Sequence, residues 1–473
     1  MADDFAWLDA TAQAELVRNG DVTPAELVEA AIGRIDELNP ELNAVIHRFD
    51  EKAMRVAGNA PDGPFRGVPF LVKDAVCHTA GDPYHQGMQL LKDEGWTEPE
   101  DTVLASRYRA AGFVFCGKTN LPEMATSVTT EPLAYGPTHN PWDTSRSPGG
   151  SSGGAGAAVA SGMVAVAHGN DMGGSIRVPS SVCGLVGMKP SRARTTLAPD
   201  LGEYWGPLTH EHVLTRSVRD SAGVLDIAHG PAPGDPYTAP PPARSYAEEV
   251  GADPGRLRIG YDAGDAHPDC LAAVEGTARL LESLGHEVEA SSPAALGEPA
   301  LGEAFPLVFG TIIARELDRW TRKLGRPVTR DDLDPLNAFS ADMGQGTTAA
   351  QYLGAIEDLQ VWTRAVAQWW SAGHDVLVTP VLPEPPIPLG EISPDARDPF
   401  AALMRLGELT RFTAAWNVTG QPAVSLPLHS NGDGLPIGVQ LVAAYGREDV
   451  LFRLAAQLEQ AQPWRDRRPL VSA

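Results

Sequence analysis

Cysteine is scarce in this chain: Cys77, Cys116, Cys183 and Cys270 are the only four in 473 residues, and none forms a C-x-x-C pair. A disulfide framework is therefore excluded, and each thiol is expected as a small core or pocket-wall residue. Long apolar runs are also missing. The most apolar stretch, 155–167, is broken by Ser161 and holds 13 residues, short of the roughly 20 that a membrane span needs. Basic charge is in deficit, with 37 Lys+Arg against 61 Asp+Glu and a formal net charge of −24. Nucleic acid is not an expected partner, because phosphate binding needs a basic face; the acidity reads as a well-solvated surface. The opening Met1-Ala2-Asp3-Asp4 lacks the basic and apolar regions of a signal peptide. The expectation is a cytoplasmic protein with no membrane partner.

What is present is enough apolar material for a large core, 43% hydrophobic against 21% charged. Thr23-Pro24-Ala25-Glu26 reads as a capping box with proline at the first helical position. The helix it opens should stop at Asn39-Pro40. Further helices are predicted at 102–111, 153–160, 269–284 and 448–460, and strands at 68–72, 113–116, 163–167, 257–261, 376–378, 423–426 and 437–442. Short apolar strands mixed with helices predict an α/β fold: a mixed, mostly parallel sheet covered by helices on both faces. About 150 residues per domain would give three domains. The proline-rich stretches 231–242 and 380–394, six prolines each, separate segments of like composition. They are therefore expected as surface loops on one domain spanning 1–473, the second bordering a substrate pocket.

Two motifs match familiar patterns in the wrong context. Residues 112–119, GFVFCGKT, fit the P-loop pattern, yet a helix precedes Gly112 and an apolar strand fills the place of a polar cradle. A P-loop nucleotide-binding protein is the weaker alternative of another class. Residues 149–153, GGSSG, fit the nucleophile elbow, which must follow a strand directly; here a loop precedes it. His210-Glu211-His212 has no third ligand at sensible spacing and is expected as a solvated loop, so no metal is predicted.

Three segments remain: Lys73-Asp74 ending an apolar strand, SPGGSSGG at 147–154, and NDMGGSIRVP at 170–179. Gly173-Gly174 lets consecutive N–H groups from Met172, Gly173, Gly174 and Ser175 converge on one point, as an oxyanion hole requires. Ser175 at its mouth is a poor nucleophile without a base. An unperturbed lysine costs roughly 4.6 kcal/mol to deprotonate at pH 7, and burial removes most of that. Lys73 is then the base, with Ser151 relaying the proton.

This conjunction resembles the amidase signature family, whose hydrolases use a Ser–cis-Ser–Lys triad. The resemblance runs from Ala10-Thr11-Ala12-Gln13-Ala14-Glu15-Leu16 to Pro436-Ile437-Gly438-Val439-Gln440. It implies an amidase signature fold and an acyl-enzyme on Ser175, with Ser151 as the cis-serine 24 positions before it and Ser152 as its structural neighbour. It also implies Asp171 and Arg177 as a salt-bridged brace of the loop, and Ala125-Thr126 on the substrate channel. A small-molecule amide is then the substrate, without cofactor, and a homodimer is one assembly open to it. The signature core would cover about 66–190, with selectivity in the variable segment of about 203–398. The stretches 128–132, 167–171 and 442–449 are similar to members acting on oligomeric aliphatic amides. The alternative within the family is the glutaminase subunit of a tRNA-dependent amidotransferase. Asn170 stands where many relatives carry Thr or Ser, a departure expected to matter little if the loop works through its backbone.

Overall fold

The computed structural model describes residues 5–473; the acidic opening at 1–4 lies outside them. One sheet runs through the molecule. Its strands are β1 (Val45–Arg48), β2 (Pro69–Lys73), β3 (Val114–Thr119), β4 (Val166–Asp171), β5 (Val186–Lys189), β6 (His210–Thr215), β7 (Arg258–Tyr261), β8 (Glu287–Ala290), β9 (Val376–Pro380), β10 (Ala423–Ser430) and β11 (Pro436–Ala443). They lie in the order β1-β3-β2-β4-β6-β5-β10-β11-β9-β7-β8, with helices packed on both faces. Among the described residues no helix is long and apolar enough to cross a membrane.

The sheet is mixed, as expected, but the parallel share is smaller than expected. Parallel pairing is confined to two blocks, β3-β2-β4 and β9-β7-β8. Everything between β4 and β9 is antiparallel. Two features cause this. β10 and β11 are joined directly by a tight turn at Asn431, whose side chain accepts from the Asp433 and Leu435 N–H groups, and a short connection permits only antiparallel neighbours. The other is β6, the His210-Glu211-His212 segment, which inserts between β4 and β5.

That segment is buried rather than solvated, because each polar side chain has a partner. Glu211 meets His168 at 2.5 Å, His212 Nε2 lies 3.1 Å from Ser221 Oγ, and His210 Nδ1 lies 2.7 Å from the Leu208 carbonyl. β4 is displaced for the same reason: apolarity ends at Ala167, whereas the strand continues through His168, Asn170 and Asp171, all buried. The first long helix, Pro24–Leu42, also outruns its expected stop. Pro40 falls in its last turn, and Asn43 closes it by donating its N–H to the Asn39 carbonyl at 2.8 Å. Losing one N–H there is tolerated. The helix Gly153–Ala160 forms where predicted, wholly buried, and all four cysteines are buried free thiols.

Candidate active site

β2 and β4 are parallel neighbours, so their C-terminal ends deliver Lys73 and Asn170-Asp171 to the same rim, where open α/β sheets place ligands. The 147–154 loop comes against that rim: Ser152 N–H donates to the Ser175 carbonyl at 3.2 Å. The Gly150–Ser151 peptide bond is cis. A Cβ on Gly150 would lie 2.6 Å from the Thr129 carbonyl oxygen and 2.7 Å from that of Ser127. Glycine is therefore required for the loop to close on 127–129.

Lys73 is fully buried. Its Nζ donates to Asn170 Oδ1 at 2.6 Å, Ser151 Oγ at 2.7 Å and Ser152 Oγ at 3.0 Å, and no carboxylate pairs with it among the described residues. Burial therefore pulls it down to about 7, against the opposing pull of Glu211 and then Asp171. Ser151 and Ser152 are fully buried, whereas Ser175 keeps 7% exposure. Of the three hydroxyl-bearing residues, it alone is open to an incoming molecule.

Asp171 and Arg177 form the expected salt bridge, bidentate and fully buried: Nε to Oδ2 at 2.9 Å and Nη2 to Oδ1 at 2.8 Å. Burial alone would raise the Asp171 carboxyl, but the Arg177 guanidinium holds it well below the usual range. Arg177 also donates to the Thr413 carbonyl, Gln440 Oε1 and Asn417 Oδ1. Thr413 Oγ1 in turn donates to the Gly173 carbonyl at 2.5 Å. Gly174 has φ +144°, and a Cβ there would strike Thr413 Oγ1 at 2.6 Å. Asp171 Oδ1 accepts the Gly174 N–H at 2.8 Å. Of the four expected N–H donors, Gly174 is thus committed inward, while those of Met172, Gly173 and Ser175 have no partner among the described residues.

Ala125 and Thr126 sit on a tight turn, Ala125 at φ +62°, with the Thr126 hydroxyl donated back to the Glu123 carbonyl at 2.9 Å. Met124 and Ala125 share an apolar cluster with Met172, Trp205 and Ile312. Phe305, on the helix Ala300–Leu324, brings its Cζ to 4.0 Å from where a Cβ on Gly173 would stand. The proline-rich stretch 380–394 borders the Gly/Ser loop: Ser147 N–H donates to the Ile387 carbonyl at 3.0 Å.

Lys118, from the P-loop-like run, lies within β3 and pairs with Asp74 at 3.1 Å, both fully buried. No cradle forms there. Asn170 is a departure that does matter, since its side chain, not only its backbone, holds Lys73. A polar residue beside Asp171 at a strand end was the signal. Thr413, Asn417 and Gln440 reach the loop from more than 230 residues away and left no local signal. One group of metal-ligand type exists among the described residues, Cys77, His168 and Glu211, all buried.

The protein-family model described as Amidase matches residues 26–452. The 6-aminohexanoate-cyclic-dimer hydrolase of Pseudomonas sp. (strain NK87) is 44% identical over 477 residues, covering 98% of this chain and 96% of that protein. A solved structure of 6-aminohexanoate cyclic dimer hydrolase complexed with substrate is similar at a TM-score of 0.95 and 42% identity, covering 99% of this chain and 100% of that one. A glutamyl-tRNA(Gln) amidotransferase chain from Thermotoga maritima is similar at a TM-score of 0.77 and 26% identity, covering 99% of this chain and 98% of that one.

Proposed function

The chain belongs to the amidase signature family and is an amide-hydrolysing enzyme, and from that premise we propose that Ser175, Ser151 and Lys73 are its catalytic residues. The observation that carries this is the buried Lys73 amine with hydroxyl and amide partners and no carboxylate. A lysine near pKa 7 is neutral in a large fraction of molecules at neutral pH, which is what a general base needs. Ser175 Oγ attacks the substrate carbonyl carbon while its proton passes to Ser151 and the Ser151 proton passes to Lys73. The N–H groups of Met172, Gly173 and Ser175 receive the oxyanion. Gly174 supports them by fixing the turn through Asp171. Collapse breaks the C–N bond, the leaving amine takes a proton from Lys73 through Ser151, and the acyl group stays on Ser175. Water then repeats the sequence on the ester. Ser152 and Asn170 hold the lysine, and Asp171 with Arg177 braces the loop.

The substrate class follows from the roof over the loop and from the relatives. Phe305, Met172, Ala125 and Ile312 offer apolar surface to a methylene chain. We propose a small cyclic or oligomeric aliphatic amide such as the cyclic dimer of 6-aminohexanoate. Selectivity is assigned to the segment of about 203–398, which contributes Phe305 and Ile312 to that surface, and the chemistry to about 66–190. The glutaminase reading is less favoured, since similarity to the amidotransferase is lower. A homodimer and a cytoplasmic location complete the proposal; four unpaired cysteines fit a reducing compartment. The test is turnover of the cyclic dimer, linear oligomers, aryl anilides and glutamine by wild type and Ser175→Ala. Hydrolysis of the cyclic dimer that is lost in Ser175→Ala supports the reading. Ammonia release from glutamine alone, or wild-type turnover by Ser175→Ala, overturns it.

A further inference from the structure

Behind the lysine lies a buried Glu211–His168 contact that the mechanism does not use. Glu211 on β6 is directly opposite Asn170 on β4, and Asn170 Oδ1 accepts from Lys73 Nζ at 2.6 Å. Two residues earlier on β4, His168 Nε2 meets Glu211 Oε2 at 2.5 Å, both side chains essentially without exposure. Glu211 Oε1, His168 Nδ1 and the Tyr108 hydroxyl are buried with no partner among the described residues. So many unmet groups in an apolar wall call for a reason.

Resting on the assignment of Lys73 as base, we propose that Glu211, held by His168, is a positioning residue for Lys73. Its carboxylate lies across the strand from Asn170 and supplies the negative charge that keeps the buried amine a competent base. Three carboxylates surround this rim, and their partners separate them. Asp171 has its charge answered by the bidentate Arg177, and Asp74 by Lys118. Glu211 has no guanidinium or ammonium partner among the described residues. The other groups facing it are the Cys77 thiol, which burial pushes well up, and Tyr108, likewise raised by burial; both are neutral. Glu211 accordingly exerts the strongest opposition to the desolvation of Lys73, ahead of Asp171. Without it the amine would be neutral yet too weakly basic to draw a proton through Ser151.

The test is the pH dependence of Ser175 modification by phenylmethanesulfonyl fluoride in the full-length enzyme, followed by mass spectrometry, alongside kcat/KM on the cyclic dimer. Wild type should show an acid limb that disappears in Lys73→Ala. Glu211→Gln preserves shape and the His168 contact, and should move the limb down by about one pH unit, a charge-at-a-distance effect through protein. Its plateau rate should fall several-fold. Glu211→Asp should restore most of the limb. His168→Gln retains an N–H donor without a titratable proton and should leave the limb in place or move it up, so it serves if Glu211→Gln does not fold. A lower plateau with an unmoved limb in Glu211→Gln, or a downward shift in His168→Gln, overturns the proposal. So does stoichiometric metal bound in wild type and lost in Glu211→Gln, because Cys77, His168 and Glu211 would then be a ligand set. Modification that is insensitive to Lys73→Ala would instead overturn the base assignment itself.

Discussion

Lys73 and Lys118 occupy adjacent parallel strands, one residue out of register with each other, and both are fully buried. Burial is therefore not what separates them. Lys118 faces Asp74, and its Nζ also donates to the Pro83 carbonyl at 2.6 Å. Burial would raise the Asp74 carboxyl, but the Lys118 charge, then His47 at 3.5 Å and the His85 N–H, hold it below its usual range; the Gln86 N–H donates to it as well. That lysine is a structural cation. Lys73 faces two hydroxyls and an amide, and desolvation goes unanswered by any adjacent carboxylate. In equal burial, the partner decides whether a lysine is an ion-pair member or is left without a carboxylate, as the proposed base is.

The comparison breaks most visibly in activity. Lys73→Met or Ser175→Ala should reduce kcat by about four orders of magnitude or more, read from turnover of a substrate cleaved by wild type. Circular dichroism and melting should show an intact fold. A Lys73→Met enzyme with a tenth of wild-type activity would place the base elsewhere. Lys118→Met should do the reverse. Leaving Asp74 buried without its cation costs about 3–5 kcal/mol, visible as a large fall in denaturation midpoint.

A smaller effect is the pH dependence of stability. The folded-state value for Lys73 lies below its unfolded value, about 7 against 10.5. Between those values the unfolded chain binds the additional proton, so stability rises with pH across that window, by up to about 5 kcal/mol from this one group. Below about 7 both states hold the proton and the penalty is fully present. The stability difference between Lys73→Met and wild type should therefore shrink from pH 7 towards 10.5, in chemical denaturation at several pH values. Smallest is Asn170→Thr, which removes the 2.6 Å acceptor but leaves a hydroxyl. A loss in kcat of about tenfold, with KM little changed, is expected from misplacing the amine by a fraction of an ångström.

Legibility in the sequence followed the locality of the signal. The helix Gly153–Ala160 and strands β2, β3, β7, β9, β10 and β11 were visible as short apolar or small-residue runs with clear stops. β6 was not, since HEHVLT reads as polar until its partners are known. β4 was cut short at its first histidine for the same reason. Lys73, Ser151, Ser175, Asp171 and Arg177 could be named because glycine runs and a lysine ending an apolar strand are local patterns. The role of Asn170 was discounted, because its value lies in a contact to Lys73 97 positions away.

From the sequence alone came the α/β class, the candidate residues of the site and the chemistry proposed for them, since residue type and short-range spacing are written along the chain. The tertiary structure decided which of two buried lysines is left without a carboxylate and that Gly174 turns its N–H inward. It also decided that His168 and Glu211 lie behind Lys73. These are matters of which side chains meet across strands, and desolvation with its compensation exists only once the strands are side by side.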